Sequence, residues 1–185
     1  MRVILASKSP RRKELLGQLF DNFEIKISEV NEELDGSVDV VSGVEILSVR
    51  KGAAVAALNS SALVISSDTL VELDGVALGK PRDEAEAYEM LKSLSGRAHN
   101  VHTGVAVHYN GACFSGVATS TVYFKKLSDE EIYEYVESGE PMDKAGAYGI
   151  QGAAGRFVSN YEGDFDTIVG LSLRLTKELV EKATK

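Results

Sequence analysis

The chain has 185 residues, of which 44% are hydrophobic and 26% charged, and its formal net charge at pH 7 is -8. A chain of this length can bury most of its apolar surface and fold without disulfides or structural metal ions. We therefore predict a single domain over residues 1–185. The acidic balance argues against a general nucleic-acid-binding surface, which needs a basic face. The apolar runs are shorter than the roughly 20 residues of a membrane helix, and the single Cys113 fits a reducing compartment. We therefore expect a cytoplasmic protein whose partners include neither nucleic acid nor membrane.

Positive charge is concentrated near the start of the chain, in LASKSPRRKELL at residues 5–16. The apolar residues 3–6 predict a short buried strand, and Ser9 followed by Pro10 predicts the start of a helix. Hydroxyls, free amides and arginine forks at such a position suit a phosphate group. An ordinary helix cap beside a solvated basic turn explains the same residues equally well. The phosphate-loop pattern G-x-x-x-x-G-K-[ST] is absent, which argues against kinase-like and GTPase-like chemistry.

The next segments predict an edge strand over residues 23–27, an acidic loop, and a helix over residues 44–58. The loop contains Glu32 and Glu33, and from spacing alone these carboxylates indicate a solvated surface. Lys51 lies on the helix, where a lone lysine is normally exposed to solvent. The loop carboxylates gain a functional interpretation only if the fold brings one of them to Asp68, because paired carboxylates can hold Mg²⁺ already bound to phosphates.

The segment SSDTLVELDGVALGKP predicts a β-hairpin, because Asp74-Gly75 is a strong two-residue turn signal. The predicted register brings Asp68 beside Lys80 at the open end of the ribbon. A charged functional site and a structural ion pair explain this placement equally well, and a register slip would move Lys80 to the other face. The predicted cross-strand pairs are Leu73 with Val76, Glu72 with Ala77, and Thr69 with Lys80.

The second half of the chain continues the alternation of strands and helices. Asp83 predicts the cap of a helix that runs through Leu94, and Ser128 with Glu131 predicts a capping box. Because strands and helices interleave, we predict an α/β fold with a mixed sheet. The remaining predicted elements are strands over residues 62–71, 101–107 and 116–124 and a helix over residues 171–180.

A glycine-rich stretch, GEPMDKAGAYGIQGAAG, precedes the end of the chain. So many permissive residues around Lys144, Tyr148 and Gln151 indicate a backbone that approaches a ligand closely. The alternative is a flexible loop. A glutamine amide has one donor side and one acceptor side, so Gln151 could read the edge of a nucleobase.

Five ordered segments together resemble the Maf family, nucleoside triphosphate pyrophosphatases linked to inhibition of septum formation. The resemblance runs nearly end to end, and the GEP-x-DKAGAYGIQG form is similar to the branch that acts on dTTP and UTP. It implies an elongated α/β fold like that of inosine triphosphate pyrophosphatases, a mixed sheet flanked by helices with two lobes and a central cleft. The segments are LASKSPRRKELL, SSDTLVELDGVALGKP, LSGRAHNVHTGV, GEPMDKAGAYGIQG and EGDFDTIVGLSL.

The resemblance also implies a set of site residues. Asp68 is the implied proton acceptor, and both Asp68 and Glu32 are implied metal ligands. The other implied catalytic residues are Glu32, Lys51 and Lys80; the implied phosphate-binding residues are Ser7, Ser9, Arg11 and Arg12; and the implied specificity residues are Arg11, Thr69 and Gln151.

The implied reaction is hydrolysis between the α and β phosphates of a nucleoside triphosphate, giving the nucleoside monophosphate and pyrophosphate. The implied cofactor is Mg²⁺, with Mn²⁺ and Co²⁺ as alternatives, and other or modified pyrimidine nucleotides stay open as substrates. A non-catalytic nucleotide-binding regulator of septum formation and a generic phosphatase are the alternative functions. A homodimer also stays open.

Overall fold

The computed structural model describes residues 1–27 and 29–185, and the strands within them form one mixed seven-stranded sheet. The strands are β1 (Val3–Leu5), β2 (Glu24–Ile25), β3 (Leu63–Leu73), β4 (Val76–Leu78), β5 (Ala98–Tyr109), β6 (Ala112–Phe124) and β7 (Val158–Glu162). The order across the sheet is β2-β1-β3-β5-β6-β7, with β4 paired to β3. β1 runs parallel to both β2 and β3, whereas the β3–β4 and β6–β7 pairs are antiparallel. The α/β prediction with a mixed sheet is confirmed.

Several of the α-helices begin where the sequence supplies a capping side chain. The Asp83 side chain accepts from the Glu86 amide, and Ser128 and Glu131 form the predicted capping box. No helix in the described part of the chain is both long and apolar enough to cross a membrane. The α-helices are α1 (Pro10–Leu16), α2 (Val40–Ala56), α3 (Glu84–Leu94), α4 (Asp129–Glu137), α5 (Phe165–Val169) and α6 (Leu173–Ala183).

Several element boundaries differ from the predicted ones. α2 begins at Val40 rather than at residue 44, because the Asp39 side chain caps it by accepting from the Ser42 amide. β7 and the short α5 were not predicted: β7 is exposed along most of its length and lacks an alternating apolar pattern. The glycine-rich stretch forms three short 3₁₀ helices rather than a flexible loop. These are Glu140–Asp143, Ala145–Ala147 and Ala153–Phe157.

The β3–β4 hairpin confirms part of the predicted register. Asp74 and Gly75 both have positive φ, 52° and 79°, as a two-residue turn of this kind requires. The predicted pairing of Thr69 with Lys80 is wrong, because β4 ends at Leu78 and the strand pairing ends there too. Lys80 therefore lies beyond the strand, where its side chain is exposed. The observed pairs are Leu73 with Val76, Glu72 with Ala77, and Val71 with Leu78.

The chain divides into two compact units. The first unit comprises Met1–Thr69, Thr103–Ala118 and Gly170–Lys185. Its fully buried side chains include Ile4 and Val64 on the parallel strands β1 and β3, and Val55 of α2 packs against them. Burial of this apolar surface fixes α2 against the strands, and α2 is the helix that carries Lys51.

The second unit comprises Leu70–His102 and Thr119–Val169. Its core includes side chains of α3 and α4, with His99, Phe124 and Tyr148 in edge-to-face contact. His99 Nε2 and the Tyr148 hydroxyl lie 2.6 Å apart. Burial lowers the pKa of His99 to about 4 and raises the pKa of Tyr148, so both side chains are neutral near pH 7.

Candidate functional site

The centre of the candidate site is a buried carboxylate at the point where β3 leaves the core of the first unit. Asp68 is 7% exposed, and its Oδ1 forms an ion pair with Nζ of Lys51 from α2. The same ammonium lies 3.1 Å from Oε1 of Glu32. The structure therefore brings two carboxylates, Glu32 and Asp68, to one ammonium, although these two residues are 36 positions apart in the sequence.

Lys51 is not the exposed surface residue that its helical spacing suggested. Its side chain is 20% exposed and is shared between Asp68 and Glu32. The next residue explains how α2 comes so close to β3. A Cβ on Gly52 would lie 2.4 Å from Oγ of Ser66, so the close approach of the helix requires a glycine here. Ser66 is two residues before Asp68 on the same face of the strand, which places Lys51 beside the carboxylate.

A second cationic group, Arg12 from α1, is held next to the same end of β3. Its Nε donates to the Gly170 carbonyl at 2.8 Å, one Nη to Thr69 Oγ1 at 3.1 Å, and the other Nη to Ser7 Oγ at 3.4 Å. Burial lowers the pKa of Arg12 from its usual value, while the Asp68 carboxylate opposes this shift. The guanidinium stays charged, because arginine does not deprotonate in proteins. The site therefore contains two oriented cations.

The rest of the basic segment forms a local hydrogen-bonded turn. Ser9 caps α1 by accepting from the Arg12 amide at 3.4 Å, and its own amide donates to Ser7 Oγ at 3.2 Å. Ser7 is buried, whereas Ser9 and Arg11 are half-buried. The structure thus confirms the predicted helix cap and brings Ser7 and Arg12 together; a phosphate-binding role for these residues stays a prediction.

Two further groups contact the residues around Arg12, and neither was predicted from the sequence: the Gly170 carbonyl and the Thr103 hydroxyl. The Gly170 carbonyl accepts from Arg12 and also from Ser67 Oγ at 3.0 Å. Thr103 Oγ1 lies 3.0 Å from Thr69 Oγ1, so Thr69 is held from two sides. A carbonyl belongs to every residue and leaves no sequence signature, which is why Gly170 was missed. The contacts orient Arg12 and Thr69 before any ligand arrives.

Two of the predicted site residues, Lys80 and Gln151, lie in the second unit, and both side chains are exposed. Within that unit the Gly146 amide donates to the Gly79 carbonyl at 3.1 Å, so the segment next to Lys80 is tied to the glycine-rich stretch. Gly146 has a φ of +68°, and a Cβ there would lie 2.8 Å from Cγ2 of Val71, so glycine is needed for both reasons. The catalytic role of Lys80 and the base-reading role of Gln151 stay predictions.

The other two residues singled out in the glycine-rich stretch have structural partners. Lys144 Nζ donates to the Glu140 carbonyl at 2.7 Å and to Asp143 Oδ1 at 2.8 Å. Tyr148 is buried against His99. Both side chains therefore stabilise the second unit, and among the three residues named in this stretch Gln151 alone is exposed.

A protein family and several known proteins match nearly the whole chain. The family described as Maf-like protein matches residues 2–183. The chain is 48% identical over 182 residues to the dTTP/UTP pyrophosphatase of Vibrio cholerae, covering 98% of this chain and 97% of that one. It is 48% identical over 184 residues to the dTTP/UTP pyrophosphatase of Carboxydothermus hydrogenoformans, covering 98% of each. The enzyme of the same name from Thermococcus gammatolerans is 43% identical over 179 residues, covering 97% and 95%.

Proposed function

Because the chain belongs to the Maf-like protein family, we propose that it is a nucleoside triphosphate pyrophosphatase that hydrolyses dTTP and UTP. The relatives named dTTP/UTP pyrophosphatase align with nearly the whole chain, which supports this choice of substrates. The observation that carries the proposal is the cluster of Asp68, Lys51 and Glu32 with Arg12 held beside the same end of β3. A buried carboxylate next to two oriented cations suits the hydrolysis of a polyanion.

The chemistry assigned to these residues follows from their contacts. Water attacks the α phosphorus. A new P–O bond forms there, the bond from that phosphorus to the α–β bridging oxygen breaks, and the products are the nucleoside monophosphate and pyrophosphate. Asp68 accepts the proton of the attacking water, and the ion pair with Lys51 holds its carboxylate in one orientation. Lys51 and Arg12 stabilise the negative charge of the phosphates, as positioned cations do in phosphoryl transfer.

The carboxylates of the site also suit a divalent cation. Glu32 and Asp68 converge on one cationic group, and hard cations such as Mg²⁺ bind through one or two carboxylates together with substrate phosphates. We propose that these two residues hold Mg²⁺, with Mn²⁺ and Co²⁺ as alternatives. Bound there, the cation would neutralise phosphate charge and orient the triphosphate. Among residues 1–27 and 29–185, no cluster of three or more His, Cys, Asp or Glu side chains is arranged for a metal.

The first test is direct. The purified protein with Mg²⁺ is expected to release pyrophosphate from dTTP and UTP, measured with a coupled pyrophosphate assay beside dATP, dGTP and dCTP. Release of orthophosphate instead would assign the reaction to another bond and favour a phosphatase. Tight binding of dTTP without turnover in Mg²⁺, Mn²⁺ and Co²⁺ would favour the non-catalytic regulator.

The second test concerns base recognition by Gln151. Gln151→Ala is expected to reduce kcat/KM for dTTP and UTP by about 10- to 100-fold, with a much smaller loss for dCTP, because a polar contact to a base edge discriminates strongly. Gln18→Ala is the matched control, since Gln18 is also exposed and lies just after α1. Equal losses for every nucleotide would contradict base reading by Gln151.

A further inference from the structure

The position of the Glu32 carboxylate depends on contacts made by the chain segment around it. Its side chain is 61% exposed, and it lies in a segment before α2 whose residues 29–39 form neither helix nor strand. An exposed side chain on irregular backbone loses conformational entropy when it is confined to one place. Glu32 nevertheless lies 3.1 Å from Lys51, and the contacts that hold the surrounding segment therefore bear on the position of its carboxylate.

Arg50 makes the contacts that could do this. Its Nη1 donates to the Asn31 carbonyl at 3.2 Å and to the Glu33 carbonyl at 2.7 Å, which are the residues on either side of Glu32. A single guanidinium nitrogen therefore binds a backbone carbonyl of each of the two neighbours of Glu32. Arg50 precedes Lys51 on α2, so the same turn of helix supplies the lysine and the anchor of its glutamate partner.

Two further contacts stabilise the same segment. The Asn31 side chain accepts from the Glu33 amide at 2.8 Å, which fixes a local turn around Glu32. The Leu34 side chain lies over Gly43 of α2, where a Cβ would be 2.8 Å from Leu34 Cδ1. These contacts fix the turn and pack it against α2. Arg50, in contrast, binds the backbone carbonyls of the residues on either side of Glu32.

We infer that Arg50 is a positioning residue that acts through Glu32. By binding the carbonyls of Asn31 and Glu33, it keeps the Glu32 carboxylate within reach of Lys51 and Asp68. The inference rests on the proposed function, in which Glu32 is a catalytic carboxylate. The contacts of Arg50 are to backbone, so the role depends on a donor at this place and not on the identity of the loop side chains.

Activity of three variants tests the first part of this inference. Arg50→Met keeps the length and apolar stem but removes the donors, and it is expected to lower kcat with dTTP about 10-fold, as loss of groups that orient a ligand-binding carboxylate does. Arg50→Lys supplies an ammonium that can donate to both carbonyls and is expected to recover most of the loss. Arg82→Met is the matched control, since Arg82 is an exposed arginine whose ion pair is with Glu86. A kcat for Arg50→Met equal to that of the control would overturn the inference.

Two further measurements separate positioning from a general structural role. In a double-mutant cycle, Arg50→Met is expected to cause little additional loss in the Glu32→Gln background, because the two residues act as a unit. Hydrogen exchange of residues 30–36 is expected to speed up in Arg50→Met but not in Arg50→Lys, while β3 amides stay unchanged. Additive losses or unchanged exchange would overturn the inference. A wild-type protein that releases no pyrophosphate would refute the proposed function instead, and hydrogen exchange would still decide the role of Arg50.

Discussion

Asp68→Asn is expected to reduce the rate of pyrophosphate release from dTTP by about 10³-fold, in the range of losses seen when a positioned proton acceptor is removed. The amide has the shape of the carboxylate but cannot accept the proton of the attacking water. It also removes one of the two carboxylates that meet at Lys51. The fold should persist, because Lys51 keeps Glu32 as an ion-pair partner and is not left buried without one.

Asp74→Asn is the matched control for this variant. Asp74 lies on the hairpin that follows the same strand, is exposed, and has a positive φ that asparagine tolerates. Steady-state kinetics with Mg²⁺ would give kcat for both variants, and circular dichroism with thermal unfolding would report whether each is folded. A kcat for Asp68→Asn within a few-fold of the control would reject Asp68 as the proton acceptor.

The elements that depend on neighbouring residues were predicted well from the sequence. The capping box of Ser128 and Glu131, the Asp83 cap, and the Asp74-Gly75 turn all appear where their residue types occur. Each of these motifs stabilises the structure through contacts within a few positions of the chain. The short exposed β7 was missed because it has no such local signal, and its place depends on pairing with β6.

The contacts of the candidate site were not predictable in this way. The spacing of residues on α2 indicated that Lys51 is exposed. A helical pattern shows which residues form the apolar face, but it does not show which side chains of a distant strand lie next to the helix. The family resemblance identified Lys51 and Asp68 as residues of interest, yet it did not say that they form an ion pair. That pairing depends on Gly52, whose close approach to Ser66 joins positions that are 14 apart in the chain (52 to 66).

Gly52→Ala is expected to lower both stability and activity. A Cβ at this position would lie 2.4 Å from Ser66 Oγ and 2.6 Å from His108 Nδ1, and Ser66 is fully buried, so we expect α2 to move away from β3. Alanine favours helix by up to about 1 kcal/mol relative to glycine. Overpacking of a tight interior contact costs about 1 to 3 kcal/mol. We therefore expect a net loss of about 1 kcal/mol in the free energy of unfolding, measured by urea denaturation.

The effect on turnover should exceed the effect on stability. Lys51 is adjacent to Gly52, so a shift of α2 away from β3 separates the ammonium from Asp68, and a displacement of about 1 Å at a catalytic group can cost up to about 10²-fold in rate. Gly36→Ala is the matched control, because a Cβ there would meet no heavy atom within 4 Å. A Gly52→Ala protein as active as this control would show that the approach of α2 to β3 does not set the position of Lys51. If turnover falls while most of the stability is kept, then the glycine serves the site rather than the fold.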